Sequence, residues 1–302
     1  MHPARSDDGG PTTGSADDRR ATKRHEARLR TDLVAVAALL LLCVLAGPAA
    51  AMARAPRGSS NWAGYVVNGR AAKTQFERVI GGWAQPRATC SAGQQSYSAF
   101  WVGLGGYQAS SSKLEQTGTE ADCDATGHAY YSAWYELVPN PPVPIRLAIK
   151  PGDVVAASVT VSANSVSLHL RNVTTGRLFT KRLALRSPDT SSAEWIAEAP
   201  SSCDRSDCRT LPLTNFGSVS FSGASALATD GHAGSISDAA WTAIEIEIEG
   251  DLEAFSAATG PVFAGATPGG LSSSGGSFSV NWQQTAGPAP PAAPTIGPSA
   301  GA

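Results

Sequence analysis

Carboxylates beside aromatic residues are the side chains of this sequence best suited to acid–base chemistry. Glu136 follows two aromatic residues, and Glu194 precedes Trp195. Strand side chains alternate between faces, so Glu194, Ile196 and Glu198 would share one face. A glutamate on a concave, aromatic-lined face has a raised pKa and can act as a general acid and base. The alternative is an ordinary solvated carboxylate on the outside of a sheet, and the pattern alone leaves both interpretations open.

The sequence contains no motif for a histidine-ligated zinc, a serine nucleophile or a dinucleotide site. The sequence has no His-Glu-x-x-His pair for zinc and no Gly-x-Ser-x-Gly turn for a serine nucleophile. The glycine-rich turn at 103–106 precedes no helical pattern, so it does not indicate a dinucleotide site. Two of the five histidines precede the expected mature start, and none of the others has a catalytic context; the five are His2, His25, His128, His169 and His232.

The elements that must position these carboxylates are short strands. Period-two alternation of β-branched and aromatic residues recurs between turns rich in Gly, Pro, Asn and Asp, and helical periodicity is confined to residues 33–46. About a dozen such strands without helices predict an all-β protein, an antiparallel two-sheet β-sandwich. The clearest candidates are residues 61–67, 96–103, 129–136, 154–161, 165–170 and 244–248.

Both ends of the 302-residue chain are expected to lie outside the sandwich. A basic stretch, a short apolar run at 33–46 and a small-residue exit match a secretory signal peptide. An uncleaved anchor is the alternative, although a spanning helix needs about 20 apolar residues. The last segment is almost entirely Pro, Ala and Gly, which predicts a disordered tail. We therefore expect a lead and signal peptide in 1–53, one domain in 54–286 and the tail in 287–302.

Charge and cysteine content fit an exported protein. Of 23 Lys+Arg and 25 Asp+Glu, residues 1–51 hold seven and six, so the remainder is slightly acidic, unlike a nucleic-acid-binding protein. Four cysteines follow the signal core, and an even count in an oxidising compartment favours two disulfides. A zinc site would need a Cys-x-x-Cys pair or a histidine at ligand spacing, and the sequence has neither, so disulfides are favoured. Of three possible connectivities, proximity along the chain favours Cys90–Cys123 with Cys203–Cys208.

Segments between about residues 59 and 250 resemble, in the same order, those of the glutamic peptidase (eqolisin) family. They include a Trp-Val-Gly turn, the Gln-Thr-Gly that carries the family's catalytic glutamine, and the segment that carries its catalytic glutamate. Each segment alone has little specificity, but the ordered set is specific. The matching segments are Ser60–Tyr65, Phe100–Gly106, Leu114–Gly118, Ser132–Glu136, Ala193–Glu198 and Phe216–Val219.

This resemblance implies a lectin-like (concanavalin-like) jelly roll whose concave face binds peptide. It implies that Glu194 activates a water as general base and then protonates the leaving amine. Gln116 would hold that water and donate its amide N–H to the oxyanion, which a neutral donor can stabilise at low pH. The substrate-binding residues expected with this pair are Trp101, Glu120, Trp134, Glu136 and Ile196.

The resemblance therefore implies a secreted, monomeric acid endopeptidase that needs no metal or cofactor. Its partners would be protein or peptide substrates, with no nucleic acid and no stable membrane association after signal cleavage. The chain departs from the family in two places. The family's turn often carries an aspartate where this chain has Gly105, and Glu120 replaces an aspartate four residues after the glutamine.

Two other functions fit the same architecture. A lectin-like sandwich that binds or hydrolyses carbohydrate could use Glu136 and Glu194, provided that the two carboxyls lie about 5 Å apart, as in a retaining glycosidase. A cell-surface adhesion module would accord with an uncleaved anchor. Gln116 discriminates between these functions, because only the peptidase needs its amide.

Overall fold

The computed structural model describes residues 55–70, 74–204, 207–256 and 260–285. Within these ranges the chain forms strands and no helix, and so contains no helix long and apolar enough to cross a membrane. The apolar run at 33–46 and the tail at 287–302 lie outside the described residues.

Short turn-bounded strands account for most of the described chain, as the alternating sequence pattern predicts. In chain order they are β1 Arg57–Ser59, β2 Trp62–Gly69, β3 Phe76–Ala84, β4 Ala99–Gly105, β5 Leu114–Cys123, β6 Ala129–Val138, β7 Val143–Ile145, β8 Val154–Ser162, β9 Ser165–Asn172, β10 Leu178–Ala184, β11 Ser192–Glu198, β12 Ser201–Asp204, β13 Asp207–Thr210, β14 Ser218–Ala228, β15 Ala233–Ser235, β16 Trp241–Ser256, β17 Gly260–Pro268 and β18 Phe278–Thr285.

Most strands join one continuous hydrogen-bonded path, in the order β10-β9-β8-β3-β14-β18-β17-β16-β2-β11-β4-β5-β6-β7. Every pair along this path is antiparallel, whereas β1 pairs in parallel with β16. Strand β15 pairs with β14, and β12 and β13 form a separate hairpin. The expected all-β, largely antiparallel architecture is confirmed.

The two halves of this path pack against each other around the main core. Trp83 on β3 donates its ring N–H to Thr119 Oγ1 on β5 at 2.9 Å. Trp195 on β11 donates to the backbone oxygen of Ile80 on β3 at 2.7 Å. Both indoles are fully buried, so each polar N–H needs a partner, and the partner comes from the opposite half of the sandwich.

A second apolar cluster lies on the other side of the half formed by β2, β11, β4, β5 and β6. Alternation along β11 explains it, because Ala193, Trp195 and Ala197 belong to the main core while Ile196 belongs to the second cluster. Strand β4 is buried over its whole length, since both of its faces are covered. The cluster contains Val66, Ala99, Trp101, Leu114, Trp134, Ile196, Ile244 and Ile246.

Two disulfides are present, and their pairing confirms the prediction. Cys90 and Cys123 are joined with a Cα–Cα distance of 5.4 Å. Cys203 and Cys208 face each other across the β12–β13 hairpin with a Cα–Cα distance of 4.0 Å. The first bridge ties the end of β5 to the segment before β4, and the second closes a hairpin beside the site described next.

Candidate active site

A cleft of about 1200 Å³ opens over the second apolar cluster. Its floor is apolar, and several carboxyl and amide side chains converge on it, which is the usual composition of a ligand site. The polar lining includes Asn61, Gln116, Glu120, Glu136 and Glu198, and the apolar lining includes Trp62, Ala99, Leu114, Trp134 and Ile246.

The walls of the cleft come from connections between strands. Residues 106–109, in the loop between β4 and β5, form one wall, and residues 139–142, between β6 and β7, form another. The β12–β13 hairpin contributes both of its cysteines. Arg57 on β1 donates from Nη1 to Tyr107 Oη at 2.6 Å, which links the N-terminal strand to the β4–β5 loop.

Gln116 lies on β5 with its side chain almost fully buried at the cleft. Its Nε2 donates to Glu136 Oε2 at 2.6 Å, and the two residues are direct partners across β5 and β6. This bond fixes the orientation of the amide. The amide oxygen is buried and has no hydrogen-bond partner among the described residues.

Glu198 is the last residue of β11, and two donors hold its carboxyl group. Trp101 Nε1 donates to Oε2 at 2.6 Å, and Asn61 Nδ2 donates to Oε1 at 3.1 Å. Burial raises the pKa of Glu198 to about 7, hydrogen bonds from Trp101 and Trp62 oppose the rise, and the charge of Glu136 adds to it. The carboxyl therefore changes protonation state in the range where general acid–base catalysis is effective.

The other carboxyls of the cleft also have raised pKa values. Burial raises the pKa of Glu136, and the hydrogen bond from Gln116 partly opposes it. Burial likewise raises the pKa of Glu120, against a hydrogen bond from Ser132. Asp122, two residues further on and outside the cleft lining, has a pKa raised to about 7, because it is buried and lies near the charge of Glu120. The site therefore favours protonated carboxyls.

Glu194 lies on the same strand as Glu198 but not in the cleft. It is fully buried, and neither carboxyl oxygen has a hydrogen-bond partner among the described residues. Its direct strand partner Val66 and its neighbour Ile196 belong to the second apolar cluster. Burial raises the pKa of Glu194 well above its usual value, and the charges of Asp189 and Glu115 add to the rise. This environment favours the neutral form of the carboxyl.

The structure brings together four of the seven residues expected from the sequence: Gln116, Glu120, Trp134 and Glu136 line one cleft. Trp101 and Ile196 are fully buried in the cluster beneath it. Trp101 still reaches the site through its N–H to Glu198, while Ile196 supports the floor.

The residues expected from the sequence do not include Glu198 or Asn61, which also line the cleft. Glu198 shares the alternation of Glu194 but ends its strand, where side chains meet the loops that wall a cleft. That terminal position is the signal that could have distinguished Glu198 from Glu194.

Comparison with known proteins defines the class. The model of the Peptidase A4 family matches residues 60–260, more than half of the chain. The chain therefore belongs to the Peptidase A4 family. The expected membership in the glutamic peptidases is confirmed.

Individual relatives agree with the family. Scytalidopepsin B of Scytalidium lignicola is 32% identical over 195 residues, which cover 62% of this chain and 70% of that protein. The crystal structure of scytalido-glutamic peptidase with a transition state analog inhibitor matches with a TM-score of 0.56 and 26% identity, covering 74% of this chain and 99% of that one. A structure of SCP-B, an eqolisin, in a complex with the tripeptide Ala-Ile-His matches over the same shares, with 26% identity and a TM-score of 0.53. The chain is a glutamic endopeptidase with the β-sandwich fold of these relatives.

Proposed function

We propose that this peptidase hydrolyses peptide bonds with Gln116 and Glu198 as its catalytic pair. The observation that carries the proposal is that both side chains line one cleft and both interact with Glu136. Glu194, which the resemblance suggested for the glutamate, is fully buried and lies outside the lining. Its catalytic role stays a prediction, which the same experiment tests.

In the first step, ionised Glu198 takes a proton from a water molecule bound between it and the scissile carbonyl. The water oxygen bonds to the carbonyl carbon, and the C=O electron pair moves onto the carbonyl oxygen. Trp101 and Asn61 hold the Glu198 carboxyl in one orientation, so little reorganisation is needed as the proton moves.

Gln116 stabilises the oxyanion that this attack creates. One amide N–H is engaged by Glu136, and the nitrogen carries a second N–H for the developing charge. A preorganised donor of this kind contributes about 10²–10³ in kcat. In the second step, protonated Glu198 gives its proton to the leaving nitrogen while the C–N bond breaks. The products are a carboxylic acid and an amine, and Glu198 is again ionised.

The charge in the cleft favours action at acidic pH. Ionised Glu120 and Glu136 would repel the oxyanion, and because burial raises the pKa of both carboxyls, acidic pH favours their neutral forms. Neutral Glu136 also ceases to raise the pKa of Glu198, which lets Glu198 stay ionised to lower pH. We therefore expect a bell-shaped profile with its maximum below neutrality.

An extended peptide is the substrate that the cleft suits best. The walls come from connecting loops, and Trp62, Leu114 and Trp134 offer apolar surface for side chains beside the polar pair. The solved relatives hold a tripeptide and a peptide-based transition state analog. We further propose that the protein acts outside the cell as a monomer, and its two disulfides accord with an oxidising compartment.

Digestion of a denatured protein between about pH 2 and pH 7 tests the pair, because this range spans the ordinary Glu pKa. The variants are Glu198→Gln, Gln116→Ala and Glu194→Gln, with Glu247→Gln on β16 as a control that lies outside the cleft. We expect the first two to lose cleavage and the last two to retain it.

Parent-like cleavage by Glu198→Gln would contradict the proposed pair, and loss in Glu194→Gln alone would restore the assignment to Glu194. A parent that binds or cleaves a glycan and leaves the peptide intact would favour the carbohydrate alternative. That alternative has weaker support, because Glu194, one of its two carboxyls, does not line the cleft.

A further inference from the structure

The segment that leads into β11 contacts the loop between β4 and β5 through one carboxylate. Asp189 Oδ2 accepts from the backbone N–H of Gly106 at 3.1 Å, and Asp189 Oδ1 accepts from the backbone N–H of Ser191 at 3.0 Å. Each oxygen therefore holds a different segment: one holds the β4–β5 loop and the other holds the start of β11.

A further contact joins the same two segments. Lys113 Nζ donates to the backbone oxygens of Arg186, at 2.9 Å, and of Ser187. Ser187 has a φ of 50°, a left-handed conformation that costs energy in a residue with a side chain. We call the contacts of Asp189 with Gly106 and Ser191 the Asp189 clasp.

Gly105 is the residue that allows the close approach. Its φ is 84°, and a Cβ atom there would lie 2.5 Å from the backbone oxygen of Asp189 and 2.7 Å from its Cβ. A side chain at 105 would therefore displace Asp189. The absence of a side chain at this turn therefore lets the Asp189 segment lie against it.

Hydrogen bonds favour the charged form of the Asp189 carboxylate. Burial alone would raise its pKa, but hydrogen bonds, including those from the backbone N–H groups of Gly106 and Ser191, lower the pKa below its usual value. Charge-assisted hydrogen bonds are stronger than neutral ones, which suits a contact that must hold two segments in register.

We propose that Asp189 is a positioning residue that holds the β4–β5 loop against the start of β11, at the close approach that Gly105 allows. This proposal rests on the proposed function, because the β4–β5 loop leads into β5, which carries Gln116, and the other segment leads into β11, which ends at Glu198. Residues 106–109 also form a wall of the cleft. Loss of the clasp therefore displaces Gln116 relative to Glu198, and misplacement by about 1 Å can cost about 10²-fold in rate.

The test compares Asp189→Ala and Asp189→Asn with Asp238→Ala. Asp238 is a matched control, since its carboxylate also accepts from a backbone N–H, that of Ala240 at 2.8 Å, but lies outside the cleft lining. We expect Asp189→Ala to lower kcat about 10- to 100-fold, with a smaller change in KM. Asp189→Asn should recover part of this loss, because its amide oxygen can replace one of the two acceptors.

Each rate is divided by the folded fraction, measured by thermal unfolding, so that a stability effect is separated from a positioning effect. Parent-like kcat in Asp189→Ala, or an equal loss in Asp238→Ala, would overturn the proposal. If Gln116→Ala and Glu198→Gln are inactive while Asp189→Ala is fully active, only the clasp fails. If those two variants cleave like the parent, the proposed function itself fails.

Gly105→Ala provides a second, independent test of the same contact. Because its methyl group would displace Asp189, we expect a loss in kcat similar to that of Asp189→Ala. The double variant should then lose little more than the worse single variant, since both changes break one contact. Losses that multiply in the double variant would show that Gly105 and Asp189 act separately and would contradict the clasp.

Discussion

Glu194 and Glu198 lie on one strand and on one face, yet their surroundings differ in almost every respect. Glu194 is sealed in an apolar cluster with no hydrogen-bond partner among the described residues. Glu198, four residues later, borders the cleft and accepts hydrogen bonds from Trp101 and Asn61. The comparison teaches that a raised pKa does not identify a catalytic carboxyl by itself. Access to the cleft and donors that orient the group are the additional requirements.

The largest expected effect separates the two residues by activity. We expect Glu198→Gln to lower kcat by about 10³-fold or more, because the amide can neither accept nor return a proton. Glu194→Gln should stay within about threefold of the parent after correction for folded fraction. Steady-state hydrolysis of a quenched peptide at several acidic pH values measures both. Equal losses of kcat in the two variants would contradict the proposal that Glu198 and not Glu194 is the catalytic glutamate.

The second prediction concerns stability and involves Glu115, another buried carboxyl without a hydrogen-bond partner among the described residues. Burial raises the pKa of Glu115 to about 8, and the charge of Asp189 adds to the rise. Because its folded pKa exceeds its unfolded pKa of about 4.5, the unfolded chain loses its proton first as the pH rises. The stability that protonated Glu115 provides is thus complete below about pH 4.5 and is lost as the pH rises toward 8.

Between pH 4 and pH 8, the parent should therefore lose unfolding free energy on the order of 4 kcal/mol that Glu115→Gln does not lose. Glu194→Gln should change the pH dependence in the same direction, whereas Glu198→Gln should change it less, since Glu198 has donors and partial exposure. Urea unfolding at a series of pH values provides the measurement. A parent whose stability is flat over this range would contradict the prediction.

A third, smaller effect is expected from the donor that orients Glu198. Trp101→Phe removes the N–H but keeps an aromatic ring in the cluster. A hydrogen bond to a charged group contributes about 1.5–3 kcal/mol, so we expect roughly a tenfold fall in kcat/KM. The pKa of Glu198 should also rise, which moves the acid limb of the profile to higher pH. Trp282→Phe is the control, because its Nε1 has no partner among the described residues and it lies outside the cleft lining.

The smallest expected effect tests the charge of Glu136. Glu136→Gln keeps an oxygen that can accept from Gln116 but removes the charge that raises the pKa of Glu198. The acid limb of kcat/KM should therefore move to lower pH by about one unit or less. This direction is opposite to that expected for Trp101→Phe. If the acid limb of kcat/KM moves in the same direction in Glu136→Gln and Trp101→Phe, this limb does not reflect the ionisation of Glu198.

Much of the architecture could be predicted from local pattern. Alternation located the strand at 154–161 to within one residue of β8, and it located 129–136 within β6. The disulfide pairs followed from proximity along the chain, and the Gln-Thr-Gly motif led to Gln116. These features are readable because each depends on a few neighbouring residues. The Asp189 clasp is different, since its contact with Gly106 spans 83 positions and no local pattern relates the two.

The sequence by itself determined that residues 194, 196 and 198 share one face of a strand, because side-chain alternation is a property of the extended backbone. Only the tertiary structure decided which glutamate on that face borders a cleft. The decision depends on what covers each position: apolar side chains from neighbouring strands close over Glu194, while the surrounding loops leave Glu198 open at the end of the strand. Burial is set by residues distant in sequence, and so the same local pattern produces a sealed carboxyl at one position and an accessible one four residues later.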